Sequence, residues 1–84
     1  MLDFKEAPKQ FRPYVEDAWN QVQKQITDNV DPNGLYDCTI PFEGGTAFVD
    51  YRVREIEFGY SYQGKWQSWL HFLSSNVTQE IEGV

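Results

Sequence analysis

The chain has 84 residues, enough for one small domain, and its composition (40% hydrophobic, 17% aromatic) predicts a packed core rather than disorder. Its 7 Lys and Arg residues against 13 Asp and Glu residues give a net charge of −6. Phosphate backbones and anionic membrane surfaces repel a chain this acidic, so we expect neither direct nucleic-acid binding nor membrane binding.

Residues 1–12 are predicted to form a loosely held arm, interrupted by Pro8 and followed by Pro13. Phe4 and Phe11 are the residues that can hold this arm against the core. The arm contains no apolar segment of the kind found in signal peptides, and no part of the chain approaches 18 consecutive apolar residues. A cytoplasmic location is therefore expected.

The next segment, residues 13–28, has the pattern of an amphipathic helix. Pro13 suits the first turn, where its missing N–H is not needed. Apolar residues then recur at helical spacing and predict one buried stripe, made of Val15, Ala18, Trp19, Val22 and Ile26.

The stretch from Thr46 to Tyr62 dominates the second half of the chain. Its apolar residues occupy odd positions from Val49 to Val53 and even positions from Ile56 onward. Strand side chains alternate between faces, so an inserted residue is needed to keep both halves on one face. We predict one long central strand with a β-bulge at Arg54–Glu55 that bends it. A tight turn is the alternative, but the local sequence has none of the usual turn residues.

Two hairpins are predicted to flank this strand. In the first, a turn over Glu43–Thr46 pairs Cys38 with Tyr51 and Asp37 with Arg52.

The second hairpin is predicted to close through a three-residue loop with a bulge at Gly64. This loop pairs Phe58 with Ser68 and Glu57 with Trp69.

The fold class predicted for residues 1–84 is therefore a single α+β domain. One N-terminal helix packs on a three-stranded antiparallel meander over residues 35–73, whose central strand is bulged and bent. Residues 74–84 form a tail whose pattern suits a short helix or an edge strand equally.

The outer face of this predicted sheet carries the candidate site. Six of its residues form the predicted partner-binding surface: Phe48, Asp50, Glu55, Glu57, Trp69 and His71. Glu55 is predicted to lie opposite His71, which could make an acid–base pair, although an ion pair on a solvated face explains the same pattern.

No other chemistry is predicted. Cys38 falls on the inner face, where a small buried thiol is inert. The sequence has no metal-ligand spacing, phosphate-binding loop or nucleophile elbow, so we expect no metal, no cofactor and no enzymatic activity. An RNA-binding platform needs a basic surround, and the predicted outer face is acidic.

The remaining hypothesis is a small acidic module that binds a protein. Aromatic anchors among carboxylates favour a partner with a basic surface, such as a nucleic-acid-binding enzyme. This profile is typical of inhibitor-type proteins: phage or mobile-element counter-defence proteins, antitoxins and immunity proteins. The alternative is a structural or assembly subunit that acts through homo-oligomerisation. A homodimer is also expected if the arm and the tail leave part of the aromatic inner face uncovered.

Overall fold

The computed structural model describes residues 2–29, 31, 34–53 and 55–72 of the chain. In this part, one helix packs against a four-stranded antiparallel sheet with strand order β1-β2-β3-β4. The elements are α1 (Arg12–Asn29), β1 (Tyr36–Phe42), β2 (Gly45–Arg52), β3 (Glu55–Tyr62) and β4 (Lys65–Phe72). The predicted α+β class is confirmed, but the prediction of three strands is wrong. The tail predicted at residues 74–84 lies outside the described residues.

The predicted central strand is two strands, β2 and β3, joined as a hairpin. Arg52 pairs with Glu55, so a two-residue loop replaces the predicted bulge. Val49 pairs directly with Phe58, which places the two apolar halves on one face, as the change of phase required. A two-residue loop produces the same change of phase as a bulge and adds a full ladder of backbone hydrogen bonds. The ion pair from Arg52 Nε to Glu55 Oε1, at 3.9 Å, bridges this loop.

The loop of the first hairpin, between β1 and β2, lies one residue earlier than predicted, which shifts the pairing register by two residues. Phe42 pairs with Gly45, and Gly44 adopts a φ of +91° in the loop between them. Gly45 pairs with Phe42 and so begins β2. A Cβ there would clash with the carbonyl oxygen of Ser61 on β3, so this position requires glycine. A shift of two residues keeps every side chain on its predicted face but changes its partner.

The second hairpin, between β3 and β4, differs from the prediction by one residue. Gln63 and Gly64 both have positive φ, at 52° and 78°, which is the signature of a two-residue type I′ turn. Tyr62 therefore pairs with Lys65, and Phe58 pairs with Trp69 rather than with Ser68. Because one residue of register reverses the faces of a strand, all of β4 is turned over relative to the prediction.

The helix packs on β1 and β2 and forms one side of the core. Its five predicted stripe residues are the ones buried there: Val15, Ala18, Trp19, Val22 and Ile26. They meet sheet residues of the same face, among them Ala47, Val49 and Tyr51.

The N-terminal arm extends this cover toward β3. The Phe4 ring packs edge-on against Phe58, with their centroids 4.6 Å apart, and Phe11 packs against Phe42 and Tyr60. The Arg12 guanidinium fixes the arm by donating to main-chain carbonyl oxygens of residues 5 and 7, at 3.1 and 2.7 Å. Helix and arm together thus cover most of the inner face of β1, β2 and β3.

Candidate functional site

The candidate site is the outer face of the sheet, which we define as the face opposite α1. The described helix and arm lie on the other side of the sheet. The outer face is formed by alternate residues of the four strands, namely Asp37, Thr39, Pro41, Thr46, Phe48, Asp50, Arg52, Glu55, Glu57, Gly59, Ser61, Trp66, Ser68, Leu70 and Phe72.

Three carboxylates form a row straight across this face. Asp37 on β1 pairs with Asp50 on β2, and Asp50 pairs with Glu57 on β3. The opposite-charge pair predicted between Asp37 and Arg52 is absent because the hairpin register is two residues different. Like charges directly opposite each other destabilise a sheet. Partial burial raises the pKa of Asp50, and the negative charges of Asp37 and Glu57 raise it further, against the opposing charge of Arg52.

This row makes a stability prediction for Asp50→Asn. The pKa of Asp50 is raised in the folded protein, so folding favours the protonated carboxyl. The contribution of Asp50 to the free energy of unfolding is therefore most favourable below the unfolded pKa of about 3.9, and it is lost as pH rises through the folded pKa. The variant should therefore be more stable than the wild type at pH 7, by up to about 1 kcal/mol, and lose this advantage near pH 3. Urea denaturation at both pH values measures this difference. Glu43→Gln, with the same charge change in an exposed turn, is the control; an equal gain there would contradict the role of the row.

Four of the six predicted site residues do share the outer face: Phe48, Asp50, Glu55 and Glu57. Phe48, however, is only 6% exposed, because Trp66 stacks on it with ring centroids 4.7 Å apart and planes at 16°. Only the small residues Gly59 and Ser61 of β3 lie between these rings on this face. A Cβ on Gly59 would clash with the carbonyl oxygen of Gln67, so the close approach of the β3 and β4 backbones at this point requires glycine.

The other two predicted site residues, Trp69 and His71, lie on the inner face, so their assignment to the outer face is wrong. Trp69 stacks on Phe58 with centroids 5.5 Å apart. His71 Nε2 lies 2.8 Å from Glu6 Oε2 of the arm, and this hydrogen bond lowers the pKa of Glu6. The predicted Glu55–His71 pair is not formed.

Three apolar residues of β4 take their place on the outer face. Trp66, Leu70 and Phe72 are 60%, 52% and 73% exposed. Leu70 pairs with Glu57 and Phe72 pairs with Glu55, so these apolar side chains directly border the carboxylates. The signal that could have found them is the Gln-Gly dipeptide, since glycine as the second of two central residues suits a type I′ turn.

A groove of about 350 Å³ lies at the end of the sheet where β1 begins and β2 ends. Its lining residues are Leu35, Tyr36, Asp37, Asp50, Tyr51 and Arg52. Two members of the carboxylate row thus border a space that a long side chain of a partner can enter.

Other kinds of chemistry find little support in the described residues. No group of three or more His, Cys, Asp or Glu side chains among them is arranged to hold a metal ion. Burial and the charges of Asp17 and Asp37 raise the pKa of the Cys38 thiol, which makes it less reactive. Within the same ranges, no helix is long and apolar enough to cross a membrane.

No protein-family model matches this sequence, and no curated protein or solved structure matches it significantly. Function is therefore inferred from the residues of the outer face alone.

Proposed function

We propose that this protein acts by binding another protein, and that its outer face engages a basic surface of that partner. The observation that carries the proposal is the row Asp37–Asp50–Glu57, three like charges held directly opposite one another. The row opposes folding, and neutralising it with side chains of a partner would relieve that repulsion. Lys and Arg side chains supply the required charge.

The surroundings of the row support the same kind of partner. Trp66 and Leu70 expose apolar surface beside the carboxylates, an arrangement typical of interfaces with aromatic anchors and a polar rim. The groove next to Asp37 and Asp50 gives a long basic side chain a place to lie. Nucleic-acid-binding enzymes present surfaces with this basic character, and the net charge of −6 favours association with them.

The class of protein that fits these features is an inhibitor: a phage counter-defence protein, an antitoxin or an immunity protein. Such a protein would occupy the basic groove that its target uses for nucleic acid. The activity of this protein would then consist of binding to the basic groove of its target, without catalysis.

Capture of proteins from a host extract tests the proposal. Asp37→Lys/Glu57→Lys alters the row, whereas Glu16→Lys/Asp28→Lys alters exposed acids of α1 and serves as the matched control. In both variants the net charge changes from −6 to −2. We expect a basic protein to be retained by the wild type and by the control but not by the outer-face variant.

Retention by all three baits would place the binding surface elsewhere on the molecule. If no protein is retained and the chain forms closed oligomers by itself, the alternative role as an assembly subunit would be favoured.

A further inference from the structure

We infer that β4 is a dimerisation edge, at which a second copy of this chain pairs antiparallel with the first to form one eight-stranded sheet. This inference does not depend on the proposed function. It rests on the two edge strands of the sheet that the described residues form, the charges of the four strands, and the sequence of β4.

The other edge strand of the described sheet, β1, is protected against such pairing. In an antiparallel ladder, alternate residues of an edge strand direct their backbone groups away from the sheet. In β1 these residues are Asp37, Thr39 and Pro41, since Phe42 and Gly45 close the hairpin. Pro41 has no N–H to donate, and Gln25 Nε2 of the helix already donates to the Asp37 carbonyl oxygen at 2.9 Å. Proline and covering side chains are common means of protecting an edge.

The β4 edge has neither kind of protection among its described residues. Lys65 and Tyr62 close its hairpin, so the residues that direct N–H and C=O groups outward are the even-numbered ones: Trp66, Ser68, Leu70 and Phe72. Three of these four also expose large apolar side chains on the outer face. A long apolar edge with free backbone groups is a template for another strand.

Charge selects this edge for contact between two copies of an acidic chain. Each of the strands β1, β2 and β3 carries at least one Asp or Glu, whereas β4, KWQSWLHF, carries none. Two copies with net charge −6 repel each other, and they repel least when the strand that joins them carries no carboxylate of its own.

The sequence of β4 is also complementary to itself in the antiparallel direction. With Trp69 placed at the two-fold axis, Trp66 of each copy faces Phe72 of the other, and Ser68 faces Leu70. Every outward-directed backbone group from 66 to 72 then has a partner, and the outer-face residues of one copy meet the outer-face residues of the other. The register thus forms an aromatic cross-strand pair at each end of the interface.

The exposed area is consistent with a dimer of moderate affinity. Aromatic side chains bury about 150–250 Å² each, so the exposed fractions of Trp66, Leu70 and Phe72 amount to roughly 350 Å² per copy. A standard interface buries about 800 Å² per partner, and the edge backbone with neighbouring side chains must supply the remainder. Patches of this size on a monomer are often functional.

Sedimentation of the full chain from micromolar to millimolar concentration tests the dimer, with twice the 9.9 kDa chain mass expected at the upper end. Trp66→Ser/Phe72→Ser should weaken dimerisation roughly tenfold or more, since two aromatic pairs are lost and tenfold corresponds to about 1.4 kcal/mol. Leu35→Ser/Val53→Thr removes apolar side chains that are 80% and 53% exposed outside β4, and should leave the dimer unchanged.

Disulfide trapping tests the register. In a Cys38→Ser background, a mixture of Ser68→Cys and Leu70→Cys chains should cross-link on oxidation, because a hydrogen-bonded antiparallel pair has Cα atoms about 5.5 Å apart. Either variant alone should remain uncross-linked, because its two cysteines would lie beyond the reach of a disulfide. A mass of one chain at all concentrations overturns the inference. A dimer that is insensitive to the Trp66/Phe72 change, or a mixture that does not cross-link, overturns it as well.

Discussion

Replacing Phe58 by alanine should remove most of the protein's free energy of unfolding. Phe58 is fully buried, and its ring contacts Phe4 of the arm and Trp69 and His71 of β4, at centroid distances of 4.6, 5.5 and 5.1 Å. Truncating a core phenylalanine costs about 3–5 kcal/mol, and a domain of this length has about 5 kcal/mol of stability in total. Urea denaturation followed by circular dichroism, at low micromolar concentration, measures the loss.

Two further variants make this prediction specific to the core. Phe58→Leu keeps an apolar side chain in the same space and should lose less stability than Phe58→Ala. Leu35→Ala removes a side chain that is 80% exposed, and the free energy of unfolding should change by less than about 0.5 kcal/mol. A cooperative transition of Phe58→Ala within a few tenths of a kcal/mol of the wild type would show that Phe58 does not join the arm to the sheet.

The helix and the face of each strand in the first hairpin were predictable because periodicity alone determines them. The five apolar positions of α1 repeat at helical spacing, and the structure buries all five. A register error of two residues in β1 does not change which face each side chain occupies. Cys38 therefore lies on the predicted inner face, although it pairs with Val49 rather than with Tyr51. The same error gave Asp37 the wrong partner, so the carboxylate row was not predicted.

The hairpin between β2 and β3 was missed because its loop has no residue that marks a turn. The change of phase after Val53 is equally consistent with a bulge and with a two-residue loop, since both return the apolar residues to one face. The hydrophobic pattern therefore placed Val49 and Phe58 on the same face, but it could not determine the number of strands.

The two faces of β4 were predicted the wrong way round for a different reason. With the faces assigned by hydrophobicity, Trp66, Leu70 and Phe72 belong inside and Gln67 and His71 outside, and the structure has the reverse. The type I′ turn at Gln63–Gly64 fixes the register against this pattern. Conflict between local pattern and structure tends to concentrate at functional sites. The exposed apolar side of β4 is the clearest conflict of this kind in the described residues.

The second large effect concerns association with the proposed basic partner. Asp37→Lys/Glu57→Lys should lower the association rate constant roughly tenfold to a hundredfold at low salt, because electrostatic steering raises such rates well above the neutral range of about 10⁵–10⁶ M⁻¹s⁻¹. The same variant should fold at least as well as the wild type. Asp50 then faces a lysine on each side, so two repulsive cross-strand pairs become attractive ones. The loss of the hydrogen bond from Ser68 Oγ to Glu57 Oε2 partly offsets this gain.

Stopped-flow or surface-based kinetics with the captured partner, from about 50 to 500 mM salt, separate the effect of the carboxylate row on the association rate from the effect of the total charge. The wild-type association rate should fall steeply as salt rises, since the Debye length shrinks from roughly 14 Å to 4 Å, while the variant should show a shallow dependence. The Glu16→Lys/Asp28→Lys control changes the net charge equally but leaves the row intact, and should stay close to the wild type. Equal slopes for the two double variants would mean that total charge, rather than the row on the outer face, steers the partner.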